Sequence, residues 1–209
     1  MFDFNLLHIV AGLPGLLIAM VVHEYAHAQV AVWLGDFTPR LMGRLTLNPK
    51  AHIDPIGMLM LFLVHFGWAK PVQINPRNFK NPQRDDILVS LAGPFANFFT
   101  AFLAMAVYMI LIRVGAPVTD GVQVVFKMII LYNLGFGVFN LIPLPPLDGS
   151  HVLMQILPRD MAYKLAELER YSFLILIVLL MTPVLSMILI PCVSALSTTF
   201  QAILMAIIF

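Results

Sequence analysis

The sequence has few charged residues and a single cysteine. Charged residues make up 11% of the 209 positions, against about 25% in ordinary soluble domains. The net charge of +1 gives no basis for a nucleic-acid partner. Cys192 alone cannot form an intrachain disulfide or build a thiolate metal site. These absences argue against a disulfide-stabilised secreted domain and against a nucleic-acid-binding domain.

Apolar residues are abundant instead, at 60% of the chain. Several apolar runs reach the roughly 20 residues that a helix needs to cross a bilayer core. The N-terminus, MFDFNLLHIV, has no basic region and its first charge is Asp3, so we do not expect a cleaved signal peptide. We predict an all-α polytopic membrane protein with about 4–6 transmembrane helices, forming one membrane-embedded domain over residues 1–209.

The apolar runs predict spans at residues 14–34, 87–112, 122–139 and 171–190, and residues 192–209 form either a fifth span or an interfacial helix. The run IGMLMLFLVHFGWA, residues 56–69, is too short to span and indicates a re-entrant or interfacial piece. The Gly- and Pro-containing stretch before it favours a β-hairpin or loop. Prolines at 143, 145 and 146 break the third span. We expect a catalytic core over residues 14–157 and C-terminal helices over residues 171–209.

The basic residues predict the orientation of the chain. Ten of the twelve lysines and arginines lie in the loops at residues 35–85 and 158–170. The positive-inside rule makes those loops cytoplasmic and places the N-terminus outside the cell membrane.

The motif HEYAH, residues 23–27, lies within the first apolar span. In a helix His23 and His27 are one turn apart on the same face, so both imidazoles can reach one ion with Glu24 beside it. Two neutral imidazoles bind zinc, and the carboxylate takes a proton from the water at the metal. Because ionisable groups within a membrane span are costly, they indicate function rather than packing. We predict one zinc ion.

A catalytic zinc of this kind usually has a third protein ligand. His23 and His27 lie about 12–18 Å from the cytoplasmic end of their helix. Asp148, in LPPLDG, has about the same depth if its segment is helical. The alternative ligands, Glu167 and Glu169, lie among charges in a cytoplasmic loop. Asn140 precedes the proline break and offers its amide either to the substrate and the reacting oxygen or to a neighbouring helix.

These residues together resemble the site-2 protease family of membrane-embedded zinc metalloproteases. HEYAH followed by NLIPLPPLDG is similar to that family's paired motifs, and AGPFAN (92–97) and GRLTLNPKAHIDPIG resemble further marks of its compact bacterial branch. The resemblance implies that His23, His27 and Asp148 bind zinc, that Glu24 is the catalytic base and that Asn140 lines the active site. It also implies hydrolysis of transmembrane segments or membrane-anchored proteins. Loop 113–121 is too short for a PDZ domain, and we expect no CBS domain.

Other interpretations stay open. A metal transporter or non-catalytic metal-binding membrane protein would also use histidines, although it would give Glu24 no necessary task. Asn97 of AGPFAN either reaches the level of the metal or packs beside Gly93. His52, His65 and His151 are assigned structural or incidental roles, and His8 and Cys192 are left unassigned. The sequence does not decide whether the chain is a homo-oligomer, which substrate it cuts, or how it is regulated.

Overall fold

The computed structural model describes residues 6–58 and 68–209, with only the backbone for residues 6–11 and Phe173. The described helices are α1 (Leu6–Trp33), α2 (Thr38–Leu41), α3 (Pro82–Arg113), α4 (Asp120–Asn140), α5 (Asp148–Ile156), α6 (Arg159–Glu167), α7 (Ser172–Met181) and α8 (Val184–Ile208). Short 3-10 turns lie at Pro49–Ala51, Pro76–Asn78 and Leu168–Tyr171. The described ranges contain no strand, only one antiparallel bridge between Ile53 and Ala69. The predicted all-α class is confirmed.

Four of the described helices are long and apolar enough to cross a membrane: Gly12–Trp33 within α1, and all of α3, α4 and α8. The first three correspond to the predicted spans at residues 14–34, 87–112 and 122–139. Helix α1 begins earlier than predicted, so Pro14 lies inside it rather than in its first turn. The predicted re-entrant piece at residues 56–69, with His65, falls mostly on residues 59–67, outside the described part.

The predicted fourth span over residues 171–190 is wrong. Helix α7 ends at Met181, and α8 begins at Val184 and continues to Ile208, so residues 192–209 belong to a membrane-length helix. The interruption is at Thr182, whose ψ of 157° is extended. Pro183 causes it, because a proline ring disfavours helical backbone in the residue before it. At ten residues α7 is too short to span the bilayer.

Helices α1, α3 and α4 pack against one another and form the centre of the bundle. Helix α8 packs outside them, through a cluster of Met105 and Met109 with Leu204 and Ile208. The guanidinium of Arg113 lies over the ring of Phe209, 5.8 Å from its centroid. The C-terminal end of α8 therefore lies beside the C-terminal end of α3.

The loop between α1 and α3 is attached to the end of α1 through Asp36, which is fully buried. One carboxylate oxygen accepts hydrogen bonds from the backbone N–H and the hydroxyl of Thr38, at 3.1 and 2.6 Å, and from the side-chain amide of Asn78, at 2.7 Å. The other accepts the backbone N–H of Asn75 at 2.7 Å. One side chain thus joins both ends of this loop and sets where residues 68–75 run.

The segment between α4 and α5 carries the prolines that were predicted to break the third span. Helix α4 ends at Asn140, residues 141–147 form turns, and α5 begins at Asp148. Helix α5 packs against α3. A carboxylate in the first turn of a helix is favoured by the helix dipole. The break therefore directs Asp148 towards the bundle centre rather than along the line of α4.

Candidate metal centre

Three side chains from two distant parts of the chain meet at the centre of the bundle. His23 and His27 lie one turn apart on α1, and their Nε2 atoms are 2.9 Å apart. Asp148 Oδ2, from the start of α5, lies 3.0 Å from His23 Nε2 and 3.3 Å from His27 Nε2. Within the described residues this is the only group of histidine, cysteine or acidic side chains that could hold a metal ion.

The hydrogen bonds around the two imidazoles decide which nitrogens carry protons. His23 Nδ1 lies 2.8 Å from Asn97 Oδ1, and His27 Nδ1 lies 2.7 Å from the carbonyl oxygen of Val89. Both partners are acceptors, so each Nδ1 carries the proton and each Nε2 presents a lone pair. Asp148 Oδ2 is buried and makes no hydrogen bond to the described residues. Three acceptor atoms thus face one another, an arrangement that a cation satisfies.

The donor set fits zinc. Two imidazole nitrogens and one carboxylate oxygen are a ligand set of catalytic zinc sites, which leave a fourth position open. The hydrogen bonds at Nδ1 are those by which proteins orient histidine ligands. Phe136 of α4 packs edge-on against His23, with ring centroids 4.9 Å apart, and limits rotation of that ring. Neither Val89 nor Phe136 could be recognised as a partner of the histidines from the sequence.

Glu24 lies beside the cluster and is only 8% exposed. Its Oε2 accepts the backbone N–H of Val72 at 2.8 Å. Val72 belongs to an extended stretch without regular structure that follows the bridge at Ala69. Glu24 Oε2 is therefore held by the loop, and Oε1 is the oxygen that can accept a proton. The sequence did not predict this contact, because every residue except proline has a backbone N–H and Val72 is not distinguished from its neighbours.

A cavity of about 900 Å³ opens beside the three side chains. Apolar residues of α1 and α4 form much of its wall, and Leu176 of α7 contributes from the outside. Glu24 and Asn140 both line it. Asn140 donates its amide to the carbonyl of Phe136 in its own helix, at 3.0 Å, and not to a neighbouring helix. The carbonyl side of the Asn140 amide makes no hydrogen bond to the described residues.

The other histidines and acids considered earlier lie elsewhere. His52 is fully buried in the loop, where Nε2 pairs with the carbonyl of Thr46 at 2.8 Å. His151 lines the cavity with a half-exposed side chain, 3.9 Å from Asp86 Oδ2. Glu167 and Glu169 are exposed, and neither joins the cluster of possible metal ligands.

Gly93 of α3 provides the close approach that the two imidazoles need. A Cβ atom at this position would lie 2.5 Å from His27 Nε2 and 2.7 Å from His23 Nδ1. Val89 and Asn97 of the same helix, α3, accept hydrogen bonds from the two rings, so the rings cannot move away from α3 without breaking those bonds.

Replacing Gly93 with alanine is therefore expected to lower zinc affinity, by about 10-fold or more, because both ligands must shift. Gly135→Ala on α4 is the matched control, since nothing lies within 4 Å of its Cβ position. Equilibrium zinc binding of the two variants checks this. Equal affinity in Gly93→Ala and Gly135→Ala would contradict the tight fit.

Comparison with known proteins identifies relatives over most of the chain. The profile of Peptidase family M50 matches residues 109–183. YwhC of Bacillus subtilis (strain 168), which is named as a zinc metalloprotease, is 39% identical over 184 residues, covering 86% of this chain and 84% of the relative. Rip2 of Mycobacterium tuberculosis (strain H37Rv), named likewise, is 30% identical, covering 83% of this chain and 68% of the relative.

More distant similarity extends to Stage IV sporulation protein FB of Bacillus subtilis, which is 25% identical over 73% of this chain and 42% of that protein. No solved structure matches the chain. The identity to YwhC extends over most of both proteins, and the four apolar helices agree with a membrane enzyme. The chain belongs to Peptidase family M50, the site-2 protease family of membrane zinc metalloproteases.

Proposed function

We propose that this protein is an intramembrane endopeptidase that holds one zinc ion with His23, His27 and Asp148 and hydrolyses peptide bonds within or near transmembrane segments. One observation carries the proposal. The Nε2 atoms of His23 and His27 and Oδ2 of Asp148 converge within 3.3 Å, at the wall of a cavity that Glu24 also lines. Water and a peptide must both reach such a centre, and the cavity gives them room.

Each group has a distinct task in this proposal. Zinc, when bound, supplies a Lewis acid that polarises the peptide carbonyl and acidifies water. Glu24 holds Oε2 against the N–H of Val72 and takes the proton of the attacking water at Oε1. Asn140 lines the cavity, where its carbonyl oxygen and the second N–H of its amide hydrogen-bond the substrate, so it belongs with Glu24 among the groups that contact the substrate.

The substrate must present exposed backbone, because the carbonyls of an intact helix are already hydrogen-bonded. Residues 71–74 have no regular secondary structure, and Pro71, Val72 and Ile74 line the cavity with Glu24. Within the described residues, the N–H of Ile74 makes no hydrogen bond, so this stretch offers an edge with which an unwound substrate can pair.

The experiment that tests the proposed function compares substrate spans of equal length and hydrophobicity that differ only in helix-breaking residues. We expect spans with Gly, Pro or Asn in the cytoplasmic half to be cut faster than all-leucine spans. Gly and Pro cost about 1 and 3 kcal/mol in a helix interior, which lowers the cost of exposing backbone. Purified enzyme in detergent and in liposomes gives the rates. Equal rates for both kinds of span would contradict the role assigned to local unwinding.

A metal transporter is the competing interpretation. It would be expected to place polar groups along a path through several spans and would leave Glu24 without a task. Enzyme in liposomes can be tested for both functions. Zinc uptake into sealed liposomes without any cleavage of a membrane substrate would favour transport.

We further propose that the metal lies nearer the cytoplasmic face and that the N-terminus is outside. The ten basic residues of loops 35–85 and 158–170 support this orientation. The contact between Arg113 and Phe209 supports a position of Phe209 beside the 114–119 turn, on the side opposite those loops.

Cysteine labelling is expected to follow that orientation. With the exposed Cys192 first replaced, single cysteines near Lys80 and Lys164 should react only from the cytoplasmic side. Cysteines at positions 119 and 209 should react from outside, and the cysteine-free chain is the control. Labelling of position 80 from outside would overturn the orientation.

A further inference from the structure

Two buried asparagines in the membrane-spanning helices connect the metal centre to α4. Asn97 on α3 and Asn133 on α4 are both 0% exposed. Burying an amide without hydrogen bonds is costly, so such side chains persist where their partners are fixed. Here Asn133 bonds to Asn97, and Asn97 bonds to Ala19 and His23 of α1.

The hydrogen bonds fix the direction in which the Asn97 amide points. Its Nδ2 donates to the carbonyl of Ala19 at 2.8 Å and to Asn133 Oδ1 at 3.1 Å. Both N–H groups are then used, so Oδ1 is the atom that faces His23 Nδ1, at 2.8 Å. A flipped amide would place N–H groups against the proton on Nδ1 and oxygen against the carbonyl of Ala19.

Asn133 is oriented in turn by its own helix. Its Nδ2 donates to the carbonyl of Ile129 at 2.8 Å, which leaves Oδ1 free to accept from Asn97. The three membrane helices α1, α3 and α4 are thus joined by one directed chain, which ends on the side of the imidazole away from the metal.

We infer that Asn97, held by Asn133, is a positioning residue for the metal: it keeps the proton of His23 on Nδ1 and aims Nε2 at the ion. The inference rests on the proposed zinc site. The backbone carbonyl of Val89 orients His27 in the same way, but a side-chain substitution cannot remove a backbone carbonyl. Asn97 is therefore the position at which this control of a ligand can be tested by mutation.

The test is zinc affinity, measured in detergent by competition with a chromogenic chelator. Asn97→Leu keeps the volume but loses the acceptor, and we expect affinity to fall about 10–100-fold. Asn133→Leu leaves the acceptor in place but frees the amide to turn, so a smaller fall is expected. Thr100→Val is the matched control on α3, because among the described residues the Thr100 hydroxyl bonds only to the carbonyl of Ala96 in the same helix.

Asn97→Asp distinguishes positioning from packing. Its carboxylate still accepts from His23 Nδ1, and Asn133 can turn its N–H towards the second oxygen because Ile129 keeps its helical hydrogen bond. That second oxygen also faces the carbonyl of Ala19, which loses its donor, so the recovery is expected to be partial. We expect Asn97→Asp to recover affinity relative to Asn97→Leu, and the cobalt-substituted absorption spectrum to stay close to that of the unmodified protein. If the site needed only a well-packed neutral side chain, the buried carboxylate would be the worse variant.

Thermal unfolding of the metal-free variants reports whether each is folded, and Asn133→Leu and Asn97→Asp carry the test if Asn97→Leu is not. Unchanged affinity in the folded leucine variants, or no recovery in Asn97→Asp, would overturn the inference while leaving the zinc site intact. Failure of the unmodified protein to bind zinc, or undiminished affinity in His23→Ala, would instead overturn the proposed site and the inference with it.

Discussion

Glu24→Gln is expected to abolish proteolysis while leaving the fold and the zinc content unchanged. The glutamine oxygen can still accept the N–H of Val72 at 2.8 Å, so the side chain stays in place. Its other atom is then an N–H₂ group, which donates hydrogen bonds and cannot take a proton from water. Loss of a general base costs roughly 10²–10⁴-fold in rate.

The measurement is cleavage of a membrane-embedded substrate by purified enzyme, with zinc determined on the same preparation. Asp54→Asn is the matched control, because Asp54 also lines the cavity. Within the described residues, the Asp54 carboxylate accepts only the backbone N–H groups of Ile56 and Gly57, which an asparagine oxygen can also accept. Undiminished cleavage by Glu24→Gln would end the assignment of Glu24 as base.

Substitution of a proposed ligand should have the largest effect on metal content. We expect Asp148→Asn, His23→Ala and His27→Ala to lose zinc, by more than the roughly 10–100-fold that follows loss of a ligand's hydrogen-bond partner. Asp148→Asn is the most informative of the three. It keeps the shape and the helix start, but it replaces an anionic oxygen with a neutral amide.

Asp86→Asn controls for loss of a buried acid near the site. Asp86 is buried and lines the same cavity, but its carboxylate pairs with Gln155 Nε2 at 2.8 Å rather than with the histidine cluster. Metal analysis and chelator competition on both variants give the comparison. Full retention of zinc by Asp148→Asn would remove Asp148 as third ligand and return attention to Glu167.

The sequence predicted the parts of this architecture that have a strong local signature. Apolar length was enough for the first three spans, and the four-residue spacing of His23 and His27 required one helical face. The break after Asn140 followed from a dense group of prolines. Pro183 breaks the helix in the same way, but it is a single proline within a long apolar run. Apolar length alone therefore predicted one span over residues 171–190.

The remaining features depend on contacts between distant segments, which a single sequence does not encode locally. Val72 contributes a backbone N–H to Glu24, and Val89 contributes a backbone carbonyl to His27. Any residue except proline can supply a backbone N–H, and any residue can supply a backbone carbonyl. Neither Val72 nor Val89 can therefore be recognised from the sequence. Asn133 was not singled out, because a lone asparagine in an apolar helix has meaning only once its partner Asn97 is known.

The hydrogen bonds of Asp36 determine how firmly the loop between α1 and α3 stays attached at acidic pH. Burial raises the pKa of this carboxyl group, but hydrogen bonds from Asn75, Thr38 and Asn78 outweigh it, so the pKa lies below its usual value of about 3.9. The contribution of Asp36 to stability is present above that value and is lost only as the pH falls through the lower pKa of the folded protein. The loop that contacts Glu24 therefore stays attached to α1 in mildly acidic surroundings, and a loss of activity there would not originate in this attachment.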